Sequence, residues 1–115
     1  MKKIIFPCLF ALLLSSCWEE AEITVQNKVS NATLKRVSWD GYDIAHSLLP
    51  GEKSRTRIII DEKIEFPKTS VVKFYMTRGG NQVYLETKAT FTLNIDDKLL
   101  IVISDDTQVV NPILP

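Results

Sequence analysis

Catalytic chemistry needs converging reactive groups, and this chain offers few. It has one histidine, His46, followed by Ser47 and preceded by Asp43. Those are the residue types of a nucleophile, a base and an orienting acid, but such triads are defined by geometry and not by closeness in sequence. The Gly-x-Ser-x-Gly turn that exposes a serine nucleophile is absent. As a metal ligand His46 lacks company, because zinc sites draw on several His, Cys or carboxylate ligands and no second histidine exists. His46 therefore reads as a loop residue following Ile44, and the chain is not expected to be an enzyme.

The acidic residues lead to the same expectation. Asp96-Asp97 and Asp105-Asp106 fall where apolar runs end. A calcium loop needs about six oxygen ligands in a fixed spacing, which neither pair provides, so both read as solvated turns. Glu62 and Glu65 flank Lys63 and read as loop charge, not as a glycosidase carboxylate pair. Gly79-Gly80-Asn81 is followed by neither a Lys-Ser/Thr pair nor a helix, so it is no phosphate loop. No cofactor and no metal are called for. Acidic and basic residues balance at 14 each, which gives no basic excess for nucleic acid.

Recognition chemistry is better supplied. Arg55, Arg57, Lys73, Tyr75, Arg78 and Tyr84 fall at outward or loop positions of expected strands. Arg and Tyr dominate interface hot spots, so these six residues form a candidate binding face for a glycan or an envelope protein. The bland reading of the same residues is a cross-strand ladder that stabilises a sheet.

The elements that must position these side chains have a period of two. Ile23 and Val25 alternate with polar residues and open a first strand at Glu22. Asn27 to Asn31 is turn-rich. Val37 and Trp39 run into Asp40-Gly41, a hairpin signal because both turn residues must accept positive φ. Leu34 is out of phase with Val37, which predicts a bulge near Lys35. A turn at Leu48-Leu49-Pro50-Gly51-Glu52 leads to a strand from Ser54 to Ile60, and Phe66-Pro67-Lys68 breaks the chain again. Val72, Phe74 and Met76 define an inward face; Val83 and Leu85, then Phe91, Leu93 and Ile95, define two more strands. Leu99 to Ile103 is apolar at both parities, as expected of a strand buried on both sides. About seven strands in residues 22–115 predict an all-β, antiparallel β-sandwich of immunoglobulin-like type.

The first residues, Met1-Lys2-Lys3, are basic, and Ile4 to Leu14 is apolar apart from Pro7. That is the pattern of a secretory signal peptide, too short to span a membrane as a helix of about 20 residues. Leu14-Ser15-Ser16-Cys17 follows directly and resembles the lipobox of bacterial lipoproteins. The resemblance implies cleavage between Ser16 and Cys17, acylation of Cys17, and partnership with a membrane through the N-terminal lipid. Residues 1–16 are then the signal peptide, 17–21 the acylated cysteine and a short tether, and 22–115 the domain. The other cysteine, Cys8, lies in the leader, so acylation also accounts for an otherwise unpaired cysteine.

Lipoprotein sorting, as that family is known, retains chains with Asp after the cysteine in the inner membrane; Trp18 here implies the outer membrane. Glu19-Glu20 is similar to the surface-export signal of lipoproteins in Bacteroides-like bacteria, and the plainer reading is a polar linker. The Val37-Ser38-Trp39-Asp40-Gly41 hairpin and the Leu49-Pro50-Gly51-Glu52 turn resemble small lipoproteins of such bacteria and Ig-like modules, without the inter-sheet cysteine pair of antibody domains. The expected function is a membrane-anchored binding or structural module of the cell envelope. The alternative is a lipoprotein inhibitor or immunity factor against an envelope-targeted enzyme.

Overall fold

The computed structural model describes residues 19–61 and 66–112, with the side chains of Glu19 and Asp61 left aside. The lipobox, with Ser16 and Cys17, and the Glu62–Glu65 segment lie outside the described residues. Ten strands lie among the described residues: β1 (Glu19–Lys28), β2 (Thr33–Trp39), β3 (Tyr42–Leu48), β4 (Arg57–Asp61), β5 (Lys68–Ser70), β6 (Val72–Arg78), β7 (Asn81–Thr87), β8 (Phe91–Leu93), β9 (Lys98–Ser104) and β10 (Val109–Val110). The protein is all-β, a β-sandwich. Among the described residues no helix is long and apolar enough to cross a membrane.

The strands form a sheet β4-β1-β9, a larger sheet β10-β7-β6-β2-β3 and a small pair β5-β8. Alternation explains the layering, because successive side chains of a strand face opposite ways. Ala21, Ile23 and Val25 of β1, Ile59 of β4, and Ile101 and Ile103 of β9 point inward. They belong to one core with Leu34, Val37 and Trp39 of β2, Leu48 of β3, and Val72 and Phe74 of β6. Trp39 is fully buried and its indole N–H donates to the Ser70 carbonyl at 3.1 Å.

The Asp40-Gly41 hairpin is present, with φ of 51° and 81° at its two turn residues. The phase break between Leu34 and Val37 is a bulge: the registers of β2 with β3 and with β6 both shift there, and Arg36 has φ of 52°.

Several expectations need correction. The first strand begins at Glu19, not Glu22, and its first residues pair with β4 from Glu19↔Asp61 onward. Ala21 is the inward residue that continues the alternation, and its small side chain hid the strand. The residues expected to be tether are therefore largely sheet. Second, β1 and β9 pair in parallel, from Glu22↔Lys98 to Lys28↔Ser104. A parallel pair between distant segments leaves no local turn signal from which to read it. Third, β9 is not buried on both faces: Leu100 and Val102 are 47% and 39% exposed, because nothing among the described residues layers on the outer side of its sheet.

At the end of β1 sits Asn27, fully buried. It lies in the strand, not in the expected turn. Its amide group donates to the carbonyls of Ala32 at 2.8 Å and Leu48 at 2.9 Å, and its side-chain oxygen accepts from the Val29 N–H at 2.9 Å. Its backbone N–H donates to Glu52 O at 2.9 Å, and its carbonyl accepts from Gly51 N–H at 2.6 Å. Gly51, at φ of 87°, turns the chain from β3 of one sheet toward β4 of the other. Asn27→Ala leaves two buried carbonyls without donors and is expected to lower the unfolding free energy by about 2–4 kcal/mol. Asn27→Asp should cost at least as much at neutral pH, since a carboxylate cannot donate. Urea unfolding of both variants checks this, and a change below the lower bound would contradict the role assigned to the amide.

Candidate functional site

The six residues of the expected binding face do not come together; the fold distributes them over three places. Lys73, Tyr75 and Tyr84 lie on the outer face of the larger sheet, where β6 and β7 pair through Lys73↔Glu86 and Tyr75↔Tyr84. The two tyrosine rings are 5.1 Å apart at a tilt of 50°, within the range of favourable aromatic pairs. Lys73 Nζ lies 3.9 Å from a Glu86 carboxylate oxygen. The Tyr84 hydroxyl is 3.4 Å from the same Glu86 oxygen. Burial pushes the Tyr84 phenol up from its ordinary value, and the neighbouring Glu86 carboxylate adds to that.

Arg57 stands at the side of the sandwich instead. Its guanidinium lies 5.6 Å from the centre of the Tyr42 ring and donates to the Asp43 carbonyl at 3.3 Å. That contact ties β4 of one sheet to the β2–β3 hairpin of the other. Arg55 borders a neighbouring depression with His46, Ser47, Glu52 and Lys53.

Arg78 lies at an end of the sandwich, beside a cleft of about 590 Å³ floored by Met76, Ile103 and Val109. It donates to the Ser30 carbonyl at 2.7 Å. Ser30 in turn gives its N–H to Asp105 at 2.9 Å and its hydroxyl to the other Asp105 oxygen at 2.6 Å. Asp105 is therefore more than the solvated turn expected of it, for it clamps the β1–β2 turn to the turn after β9. The Ser30 hydrogen bonds hold its carboxyl below the ordinary value, with the Arg78 charge adding to them. The second acidic pair does local work: an Asp97 oxygen accepts from the Asn94 N–H at 2.7 Å.

The groove that the fold does build around Tyr75 includes residues outside the expected set. Lys35, Arg36, His46, Tyr75 and Gln82 line a hollow of about 360 Å³ on the larger sheet. Lys35 is level with Tyr75 on one side and Ser47 on the other. Arg36 and His46 also border a second hollow of about 380 Å³ with Asp43, Ile44 and Ala45. The bulge in β2 does this, since its left-handed residue is Arg36, and bulges re-aim side chains relative to the regular pleat. Among the described residues, no carboxylate lies within ion-pair distance of Lys35 or Arg36. The Leu34–Val37 phase break was the available sequence signal for this site.

Among the described residues no hydrogen bond joins His46 to Ser47 or to Asp43. No group of three His, Cys, Asp or Glu side chains among them is arranged to hold a metal ion.

Comparison with known proteins returns no match, whether with family models, with curated proteins or with solved structures.

The Asp105 clamp makes a signed prediction. A carboxyl whose folded pKa is depressed contributes stability above its ordinary value of 3.8, and loses that contribution as pH falls through the folded value. Wild-type protein should therefore melt above Asp105→Asn at neutral pH, and the gap should close as pH falls below the ordinary carboxylate value. Melting temperatures across that range measure it; a gap independent of pH would remove the charge from the explanation.

Proposed function

We propose that the chain is a lipid-anchored, non-enzymatic binding module of the bacterial cell envelope, acylated at Cys17. The observation that carries this reading is the order of features at the start of the chain: Lys2-Lys3, the apolar run Ile4 to Leu14, then Leu14-Ser15-Ser16-Cys17. Small residues before the cysteine let an extended backbone enter a peptidase site, and the thiol accepts the diacylglycerol. A single acyl chain holds a protein at a membrane only marginally, whereas two hold it stably. Trp18 in place of Asp favours the outer membrane.

The binding surface in this reading is the hollow formed by Lys35, Arg36, His46, Tyr75 and Gln82. Its cationic groups, which have no ion-pair partner among the described residues, and its tyrosine suit an acidic partner in the envelope, a glycan or a protein. What supports a binding role over a catalytic one is that His46 and Ser47 share no hydrogen bond.

Metabolic labelling with an alkyne fatty acid, followed by fractionation of the envelope, tests the anchor. Wild-type chain should take up label and sediment with membranes; Cys17→Ala should take up none and leave the membrane fraction. Label retained by Cys17→Ala would overturn the assignment. For the surface, Lys35→Glu with Arg36→Glu should abolish crosslinking to the envelope partner while leaving membrane association and melting temperature unchanged. Unchanged crosslinking would remove the hollow from the proposal.

A further inference from the structure

The smaller sheet has two open edges. β4 and β9 each pair with β1 on one side, and among the described residues neither pairs with a strand on the other. A free edge presents a row of unpaired N–H and C=O groups, which only another extended strand can satisfy together. Natural edges are usually blunted by charge, bulges or shortness. The β3 edge of the larger sheet is blunted in this way by its register shift and by Asp43 and His46. β9 is not: it is seven residues long, regular in register, and apolar from Leu99 to Ile103.

The outward side chains at the two edges match each other. On β4, Ile58 and Ile60 are 53% and 45% exposed; on β9, Leu100 and Val102 are 47% and 39% exposed. These four make up half of the eight large exposed apolar side chains found among the described residues. Between them on β1 stand Glu20, Glu22, Thr24 and Gln26, so a single copy offers two separated apolar stripes and not one patch.

We infer that copies of this chain associate head to tail, the β9 edge of one pairing antiparallel with the β4 edge of the next. Direction is already correct, because β4 is antiparallel to β1 and β9 is parallel to it. Setting Ile101 opposite Ile59 of the next copy puts inward residue beside inward residue. Leu100 then meets Ile60, and Val102 meets Ile58, both on the outer face. The flanks agree in charge: Arg55, just before β4, comes level with Asp105, just after β9.

Two rival pairings are weaker. A two-fold β9–β9 pair centred on Ile101 brings the Asp96-Asp97 turn of each copy beside the Asp105-Asp106 turn of the other, where like charges repel. A two-fold β4–β4 pair covers the shorter edge and leaves β9 open. Head-to-tail pairing does not close on itself and generates rows. Every copy in a row keeps the same strand direction, with the starts of β1 on one side. The inference does not rest on the acylation of Cys17.

Cysteine crosslinking of the full chain in intact cells tests the pairing. Within one copy Ile60 is level with Glu20 and Leu100 with Thr24, on opposite sides of β1. Two strand spacings alone separate them by roughly 10 Å, beyond the reach of a disulfide at about 7 Å. A ladder of dimers, trimers and higher species from Leu100→Cys with Ile60→Cys is therefore intermolecular. It should form on mild oxidation, and adding Val102→Lys should suppress it. Each single variant and the wild type, which retains Cys17, should show no ladder. Dimers from Leu100→Cys with Val102→Cys, or from Ile58→Cys with Ile60→Cys, would establish a two-fold pairing and overturn the head-to-tail one. A chain that stays monomeric in all of these arms would overturn the association itself.

Discussion

The two sheets are joined at one end through a single buried amide. Asn27 belongs to β1, yet all of its hydrogen-bonding groups serve other segments: the β1–β2 turn, the end of β3, and the Gly51-Glu52 turn that carries the chain toward β4. A buried polar group is costly when unpaired and specific when fully paired. Here the pairing determines where β1 ends and where the chain crosses from one sheet to the other. Ser54 extends the same seam, its backbone N–H donating to Val25 O at 2.8 Å and its hydroxyl accepting from Val25 N–H at 3.0 Å. With that corner fixed, alternation decides which side chains of each regular strand face the core.

The sheets then differ in what they do with their outer faces. The larger one covers its face with side chains that partner one another: the Tyr75–Tyr84 pair, the Lys73–Glu86 pair and the Thr77–Gln82 contact. An exception lies beside the β2 bulge, where Lys35 and Arg36 have no carboxylate within ion-pair distance among the described residues. A left-handed φ at Arg36 is uncommon for a residue that is neither Gly, Asn nor Asp, and two neighbouring strands shift register around it. Local backbone cost and unpaired charge thus coincide, the combination expected where a strand has been shaped to present side chains and not merely to pack. The smaller sheet leaves its apolar residues at its edges instead, where only another strand can complete them.

Strand positions were legible from the sequence wherever apolar and polar residues alternate, as in Val72-Lys73-Phe74-Tyr75 or Ile23-Thr24-Val25. The hairpin was legible because Asp40-Gly41 accepts a backbone that few other pairs do. The bulge was legible as a slip in phase. What could not be read were relations between distant segments. The parallel β1–β9 pair, the separation of Arg57 and Arg78 from Tyr75, and the clamp of Asp105 on Ser30 all depend on which strands become neighbours. Asn27 was misread for a related reason, since an Asn beside Lys28, Val29 and Ser30 looks like turn chemistry until its three partners are known. Leu99 to Ile103 misled in the opposite sense: composition suited a doubly buried strand, but a three-stranded sheet in a two-layer sandwich has only one covered face.

The beginning of β1 bears on what an anchor at Cys17 would do to the domain. Two residues beyond that cysteine the chain is already paired with β4, and by Glu22 it is paired with β9 as well. A tether of two residues spans at most about 7 Å, so a lipid at Cys17 would hold the sandwich against the membrane with little rotational freedom. Tension applied there would load β1 along its length between two hydrogen-bonded neighbours. A strand pulled that way must break its ladder bonds together and not one after another. With β4 on one side and β9 on the other, β1 would then resist along two ladders, where an edge strand would have had only one.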